Sequence, residues 1–117
     1  MQKELQNLKV WKEGMGLVTQ VYEITKDFPK DEIYGLTQQI RRAAVSVPAN
    51  ISEGKGRNSK KEYLQFLFIA KGSLYELMTL VQVAENLKYL KVSQAQIIQD
   101  RLSQLAAMLI GLIQTFL

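Results

Sequence analysis

Six basic side chains, Arg41, Arg42, Lys55, Arg57, Lys60 and Lys61, crowd between Gln38 and Lys61 against one carboxylate, Glu53. The window carries +5 while the whole chain carries +4, so everything outside it sums to −1. The chemistry open to such a cluster is phosphate recognition. Arginine offers paired donors, lysine a mobile point charge, and backbone amides at the start of a following helix add anion affinity. The cluster brackets Arg41–Gly54, R-R-A-A-V-S-V-P-A-N-I-S-E-G, where apolar residues keep helical spacing straight through Pro48. The same residues also fit a solvated face, or an interface in which Arg41 or Arg42 pairs with Glu53, Glu76 or Glu85.

Catalytic chemistry has little to work with. The chain has no cysteine and no histidine, which excludes disulfides and thiolate or imidazole metal sites. A general base would have to be a carboxylate, lysine or tyrosine with a strongly moved pKa. Asp27, Asp31 and Glu32 sit in a connector, where a solvated helix end explains them. Lys55-Gly56-Arg57 is a fragment of a phosphate loop without its full spacing or a preceding strand. Asn50 and Ser52 read as partners for backbone groups that Pro48 leaves free. Tyr63 and Tyr75 could stack on bases, but their helical spacing among leucines marks them as core or interface. The sequence predicts no enzyme, no cofactor and no metal.

These residues need a scaffold, and 117 residues with 47% hydrophobic composition suffice for one domain. A pI near 9.4 fits an acidic partner such as nucleic acid. The polar start, M-Q-K-E-L-Q-N-L-K, has no apolar leader behind it. The longest apolar run, Leu105–Ile113, is too short to cross a bilayer, which takes about 20 residues. The expectation is a soluble cytoplasmic protein without a membrane partner.

Periodicity is helical throughout. A first helix is expected over Lys9–Lys26 on the stripe Trp11, Met15, Val18, Tyr22 and Thr25, broadened by Leu17, Val21, Ile24 and Phe28, with Phe28-Pro29 ending it. The second, from Tyr34 or Gly35 to Glu53, has the inner face Leu36, Ile40, Ala43, Ala44, Val47 and Ile51. Pro48 should kink it by freeing the Ala44 carbonyl, and Gly54 and Gly56 should stop it. The third starts at Asn58 or Ser59, with Glu62 placed for a capping box, and runs to about Tyr89. Gly72 in its middle predicts close approach of a neighbouring helix. Ser93 caps a fourth helix over Gln94–Phe116. Short connections predict an all-α, up-down-up-down antiparallel four-helix bundle, a single domain over residues 1–117. After Asp100-Arg101 the last helix is apolar on every side, which predicts homo-oligomerisation through it. Leu64, Phe68 and Tyr75, off the main stripe of the third helix, support that.

The proline-centred segment Arg41–Gly54 resembles the signature of the four-helix-bundle family of 23S rRNA intervening-sequence proteins, also called S23. The likeness takes in Phe28-Pro29 and Tyr34-Gly35-Leu36 upstream. Downstream it includes Gly56-Arg57, Tyr63, Phe66-Leu67, Ala70 and Gly72–Leu77. The resemblance implies a bacterial up-down bundle, pentameric assembly, and kinship with the accessory variability determinant of diversity-generating retroelements. That relative is a basic pentamer that binds nucleic acid and a reverse transcriptase.

Two functions remain open on these grounds. One is a nucleic-acid-binding homo-oligomer that holds RNA or DNA backbone through Arg41, Arg42, Lys55, Arg57, Lys60 and Lys61. It would have little sequence preference, because no RNP aromatic pair, GXXG loop or zinc knuckle is present. The other is an oligomeric scaffold or adaptor that docks a protein such as a reverse transcriptase.

Overall fold

The computed structural model describes all 117 residues, and every regular element in it is helical. A short α1 (Lys3–Gln6) precedes four long helices: α2 (Lys9–Thr25), α3 (Leu36–Lys55), α4 (Lys60–Asn86) and α5 (Val92–Gln114). The sequence reading missed α1, whose four residues are too few to show a period. Lys30–Glu32 adds a single 3₁₀ turn between α2 and α3. α2 packs on α3, α3 on α4, α4 on α5, and α5 returns to α2. The molecule measures 43 × 23 × 21 Å.

Side-chain contacts fix which helix ends meet. Phe28 packs on Tyr89, ring centroids 5.5 Å apart, so the α2–α3 connector lies against the α4–α5 turn. Tyr63 meets Phe116 edge-on at 5.2 Å, joining the start of α4 to the end of α5. α1 lies by the end of α3, where Gln2, Glu4 and Leu5 share a surface hollow with Ser52, Lys55 and Gly56.

α3 is a continuous helix through Pro48, and all six of its expected inner residues are buried. It runs on past Gly54, which is buried within the helix, and stops at Gly56. Gly54 is a point of contact: an added Cβ would stand 2.8 Å from Phe66 Cβ and 3.0 Å from the Tyr63 ring. The close approach expected at Gly72 is absent, since nothing lies within 4 Å of a Cβ built there.

α2 buries only part of the expected pattern. Leu17, Val21 and Thr25 face the core as expected, joined by Val10 and Gly14. Met15 and Tyr22 are exposed, and Trp11 and Val18 are half-buried. The core-facing stripe contains a glycine, which does not read as apolar. Gly14 is there because the Pro48 ring sits against it, 3.4 Å from where a Cβ would be. The displaced stripe lines a surface groove with α3, formed by Trp11, Met15, Val18, Val45, Pro48 and Ala49.

Ser59 caps α4, its hydroxyl accepting from the Glu62 amide at 3.1 Å. The far end is a Schellman motif. The Tyr89 amide donates to the Ala84 carbonyl and the Lys88 amide to the Glu85 carbonyl, both at 2.9 Å, with Lys88 at φ 65°. α4 is long and apolar enough to cross a bilayer, a feature the run-length argument overlooked because charged residues interrupt it. Here its Tyr63–Ala84 stripe forms part of the core.

α5 begins two residues earlier than expected. Lys91, not Ser93, is its N-cap residue, and the Lys91 amide donates to Gln94 Oε1 at 2.9 Å. The helix is also less two-sided than its composition suggests. Leu102, Leu105, Ala106, Leu109 and Ile113 are buried, while Met108, Leu112 and Phe116 lean on the core from its margin. The large exposed apolar groups of α5, Val92 and Ile97, come before Asp100, and others lie on α4, notably Phe68, Ile69 and Tyr75.

Candidate nucleic-acid interface

The six basic residues do not form one patch. Arg41 and Arg42 lie in the second turn of α3, and Lys55 ends that helix. At 1.5 Å per residue the two groups are roughly 21 Å apart along the axis. The kinship in sequence is not kinship in space.

Arg41 is committed to the fold. Its Nε donates to Thr25 Oγ1 at 2.9 Å, and its guanidinium lies 4.6 Å from the Tyr22 ring centroid. Thr25, 2% exposed, in turn donates to the Val21 carbonyl at 2.8 Å. Arg41 therefore clips α3 to the end of α2. Neither Arg41 nor Arg42 pairs with Glu53, Glu76 or Glu85, although Arg42 and Glu76 line one surface hollow with Gln39 and Ser46.

The α3–α4 turn is different. Arg57 pairs with Glu53 at 3.1 Å and covers the Phe66 ring at 4.9 Å. Both charges in that pair are about half exposed, so water screens it and it holds Arg57 only weakly. Lys55 Nζ stands 5.7 Å from the Tyr63 centroid. Lys60 and Lys61 are exposed and held by no ion pair or side-chain hydrogen bond. Local sequence explains this. Gly56 ends α3, Ser59 starts α4, and the residues between have no neighbouring helix to lie on.

The tyrosines read as possible base-stacking groups divide. Tyr63 is buried, and Tyr75 is exposed beneath Lys71. Burial pushes the Tyr63 hydroxyl pKa above 10.0. The Tyr89 hydroxyl is raised too, first by donating to Glu32 Oε2 at 2.8 Å, then by burial and by the charges of Glu32 and Asp31. Both tyrosines are thus held protonated in the folded chain and ionise more readily when it unfolds. Their contribution is fully present below pH 10, the ordinary tyrosine value, and is lost as pH rises through the raised folded values. Thermal unfolding temperature should therefore fall above about pH 10, and less steeply in Tyr89→Phe. A pH profile indistinguishable between the two proteins would show that the Glu32 bond does not contribute.

Other residues gained roles that the sequence did not reveal. Glu32 accepts from the Leu36 amide at 3.2 Å as well as from Tyr89, so it caps α3 and ties on the α4–α5 turn. Asn50 donates to the Ser46 carbonyl and hydroxyl at 2.8 and 2.9 Å, and Ser46 bonds Ser73 at 2.8 Å across α3 and α4. The carbonyl that Asn50 satisfies belongs to Ser46, not to Ala44 as the proline argument implied. Ser52 bonds the Ala49 carbonyl at 2.9 Å. Arg101 reaches Gln20 at 2.8 Å and Glu13 at 3.7 Å, linking α5 to α2. The Asn50 and Ser52 bonds to backbone are local, as the sequence reading expected, whereas only a long-range pairing signal could have found the Glu32–Tyr89, Ser46–Ser73 and Arg101–Gln20 links.

No curated protein matches this chain. The fold is similar to a crystal structure, at 1.70 Å, of a protein of unknown function from the S23 ribosomal protein family of Bacteroides thetaiotaomicron. The TM-score is 0.83 at 20% identity, covering 90% of this chain and 95% of that one. At that identity the likeness concerns fold alone. The model of the 23S rRNA-intervening sequence protein family matches residues 6–111. The proline-centred helix, its glycine contact and the buried stripes up to Leu109 lie within that span, and the chain belongs to the 23S rRNA-intervening sequence protein family.

Proposed function

We propose that this protein is a non-catalytic, cytoplasmic homo-oligomer that holds RNA or DNA backbone through exposed cations with little sequence preference. The observation that carries the reading is the α3–α4 turn, where Lys55, Lys60 and Lys61 project without acidic partners. Arg57 can leave its screened pair with Glu53, and Arg42 is exposed. Arg41, engaged with Thr25 and Tyr22, serves the scaffold instead. The architecture we infer is an up-down-up-down antiparallel bundle with a bend at Pro48. Its support is the sequential packing of α2 to α5, the closure of α5 on α2, and the two aromatic contacts that join alternate helix ends. Glu32, one of the carboxylates of the α2–α3 connector, has structural work, which favours a non-catalytic role for it.

Oligomerisation, a pentamer by the resemblance, is supported by the apolar groove of Trp11, Met15, Val18, Val45, Pro48 and Ala49 rather than by α5. That groove also favours the second reading, a scaffold that docks a protein such as a reverse transcriptase. Salt-titrated binding to a mixed RNA and DNA pool separates the two. Backbone binding should weaken with log salt at a slope of roughly −0.7 to −0.9 per phosphate neutralised. Binding that ignores salt, or capture of a specific protein that survives nuclease, would favour the scaffold.

A further inference from the structure

The nucleic-acid reading above leaves open which surface meets the backbone and what form of nucleic acid it fits. The geometry points to one end of the bundle, not a flank, as a seat for double-stranded nucleic acid, with Lys9 and Lys12 of α2 joining the α3–α4 turn. This inference rests on that reading.

Folding redistributes the charge. One half of the long axis comprises residues 1–17, 46–72 and 103–117, the parts that α1, the Tyr63–Phe116 contact and the α3–α4 turn gather together. It holds eight cations and four carboxylates, a net +4. The other half, gathered by the Phe28–Tyr89 contact, holds seven of each and is neutral. The net charge of the chain therefore sits in one half of a body 43 Å long, with Lys71 part-way down the flank. Lys9 opens α2 and shares a surface hollow with Glu13 and with Arg101, Gln104, Leu105 and Met108 of α5, where Arg101 pairs with Glu13. Lys55 shares another with Leu5 of α1, the short helix that leads into α2. The start of α2 and the α3–α4 turn thus lie towards the same end of the bundle, whose cross-section is 23 × 21 Å.

The form of nucleic acid follows from what accompanies the cations. Single-strand sites add open aromatic faces on which bases stack. In this half Phe68 alone among the rings is exposed. Tyr63 is buried against Phe116, Phe66 lies beneath Arg57, and Trp11 is half-buried along the α2–α3 groove. Phe68 lies about 12 Å down the flank from the start of α4. Tyr22, Tyr34 and Tyr75 belong to the neutral half. Cations with no freely exposed ring beside them suit phosphates already fixed in position on both sides of a duplex groove.

The test compares Lys9→Ala/Lys12→Ala with Lys88→Ala/Lys91→Ala, which removes the same charge from the opposite end. Binding of a short RNA or DNA duplex and of its separate strands is followed by fluorescence anisotropy across a salt series. The Lys9/Lys12 variant should lose roughly tenfold or more in duplex affinity at 0.1 M salt, and its salt slope should fall by about 0.9 for each phosphate it no longer neutralises. The Lys88/Lys91 variant should bind as the unaltered protein does. Equal losses in both variants, no loss in either, or tighter binding of the single strands than of the duplex would each overturn the inference. An unaltered protein that binds neither form would instead overturn the nucleic-acid reading beneath it.

Discussion

Gly54→Ala should destabilise the protein by about 1–2 kcal/mol, the reverse of what a glycine inside a helix normally does when replaced. Alanine is favoured over glycine in a helix interior by about 1 kcal/mol. Against that, a Cβ at position 54 meets Phe66 Cβ at 2.8 Å, the Tyr63 ring at 3.0 Å and the Tyr63 carbonyl oxygen at 3.3 Å. Phe66 Cβ and the carbonyl belong to the first turns of α4 and cannot swing aside as a flexible chain end can. Overpacking of this kind costs about 1–3 kcal/mol, and here it outweighs the helical preference. Gly72→Ala is the matched control, because a Cβ there meets nothing within 4 Å. It should stabilise by about 0.5–1 kcal/mol. Urea unfolding midpoints of the two variants should move in opposite directions. A stabilising Gly54→Ala would refute the close helix contact. A destabilising Gly72→Ala would mean that another molecule packs on the Phe68–Gly72–Tyr75 face.

The two glycines show why parts of this fold were legible in sequence and others were not. Both interrupt apolar helical patterns, and sequence alone assigned the close approach to Gly72 and the helix stop to Gly54. The geometry moves the contact to Gly54 and leaves the stop to Gly56, since contact depends on where a neighbouring helix crosses. α3 was read residue by residue because its buried face is one clean stripe with polar neighbours. α2 was read only in part because two stripes run side by side. The bulkier one, with Trp11 and Met15, lies towards the surface, while the buried one adds Val10 and Gly14 to the expected Leu17, Val21 and Thr25. α5 is apolar on several faces, so periodicity could not say which face the other helices leave open. The basic window was legible as charge but not as a site, because a contiguous stretch of helix and turn places its two ends roughly 21 Å apart. α1, distant in sequence, lies beside Lys55 at the end of α3 and so brings the start of α2, with Lys9, towards the α3–α4 turn.

Arg41→Ala should lower stability by about 1–2 kcal/mol, whereas Lys60→Ala and Lys61→Ala should each stay within about 0.5 kcal/mol of the unaltered protein. The difference arises from partners, not from charge. A hydrogen bond from a charged donor contributes about 1.5–3 kcal/mol, and a guanidinium over an exposed ring about 0.5–1. Arg41 makes both, to Thr25 at 2.9 Å and over Tyr22 at 4.6 Å, but its partial exposure to water reduces their sum. Thr25 keeps its own bond to the Val21 carbonyl in the variant, so the loss stays below that of a fully orphaned buried group. Arg41→Lys should recover little, because an ammonium can neither supply the Nε donor nor lie flat on the tyrosine. Denaturant unfolding measures the stability, and nucleic-acid affinity is measured on the same variants under conditions where each is folded. Arg41→Ala should then bind as the unaltered protein does, while Lys60→Ala/Lys61→Ala binds more weakly with a shallower salt slope. An Arg41→Ala protein as stable as Lys61→Ala but impaired in binding would move Arg41 from the scaffold to the interface.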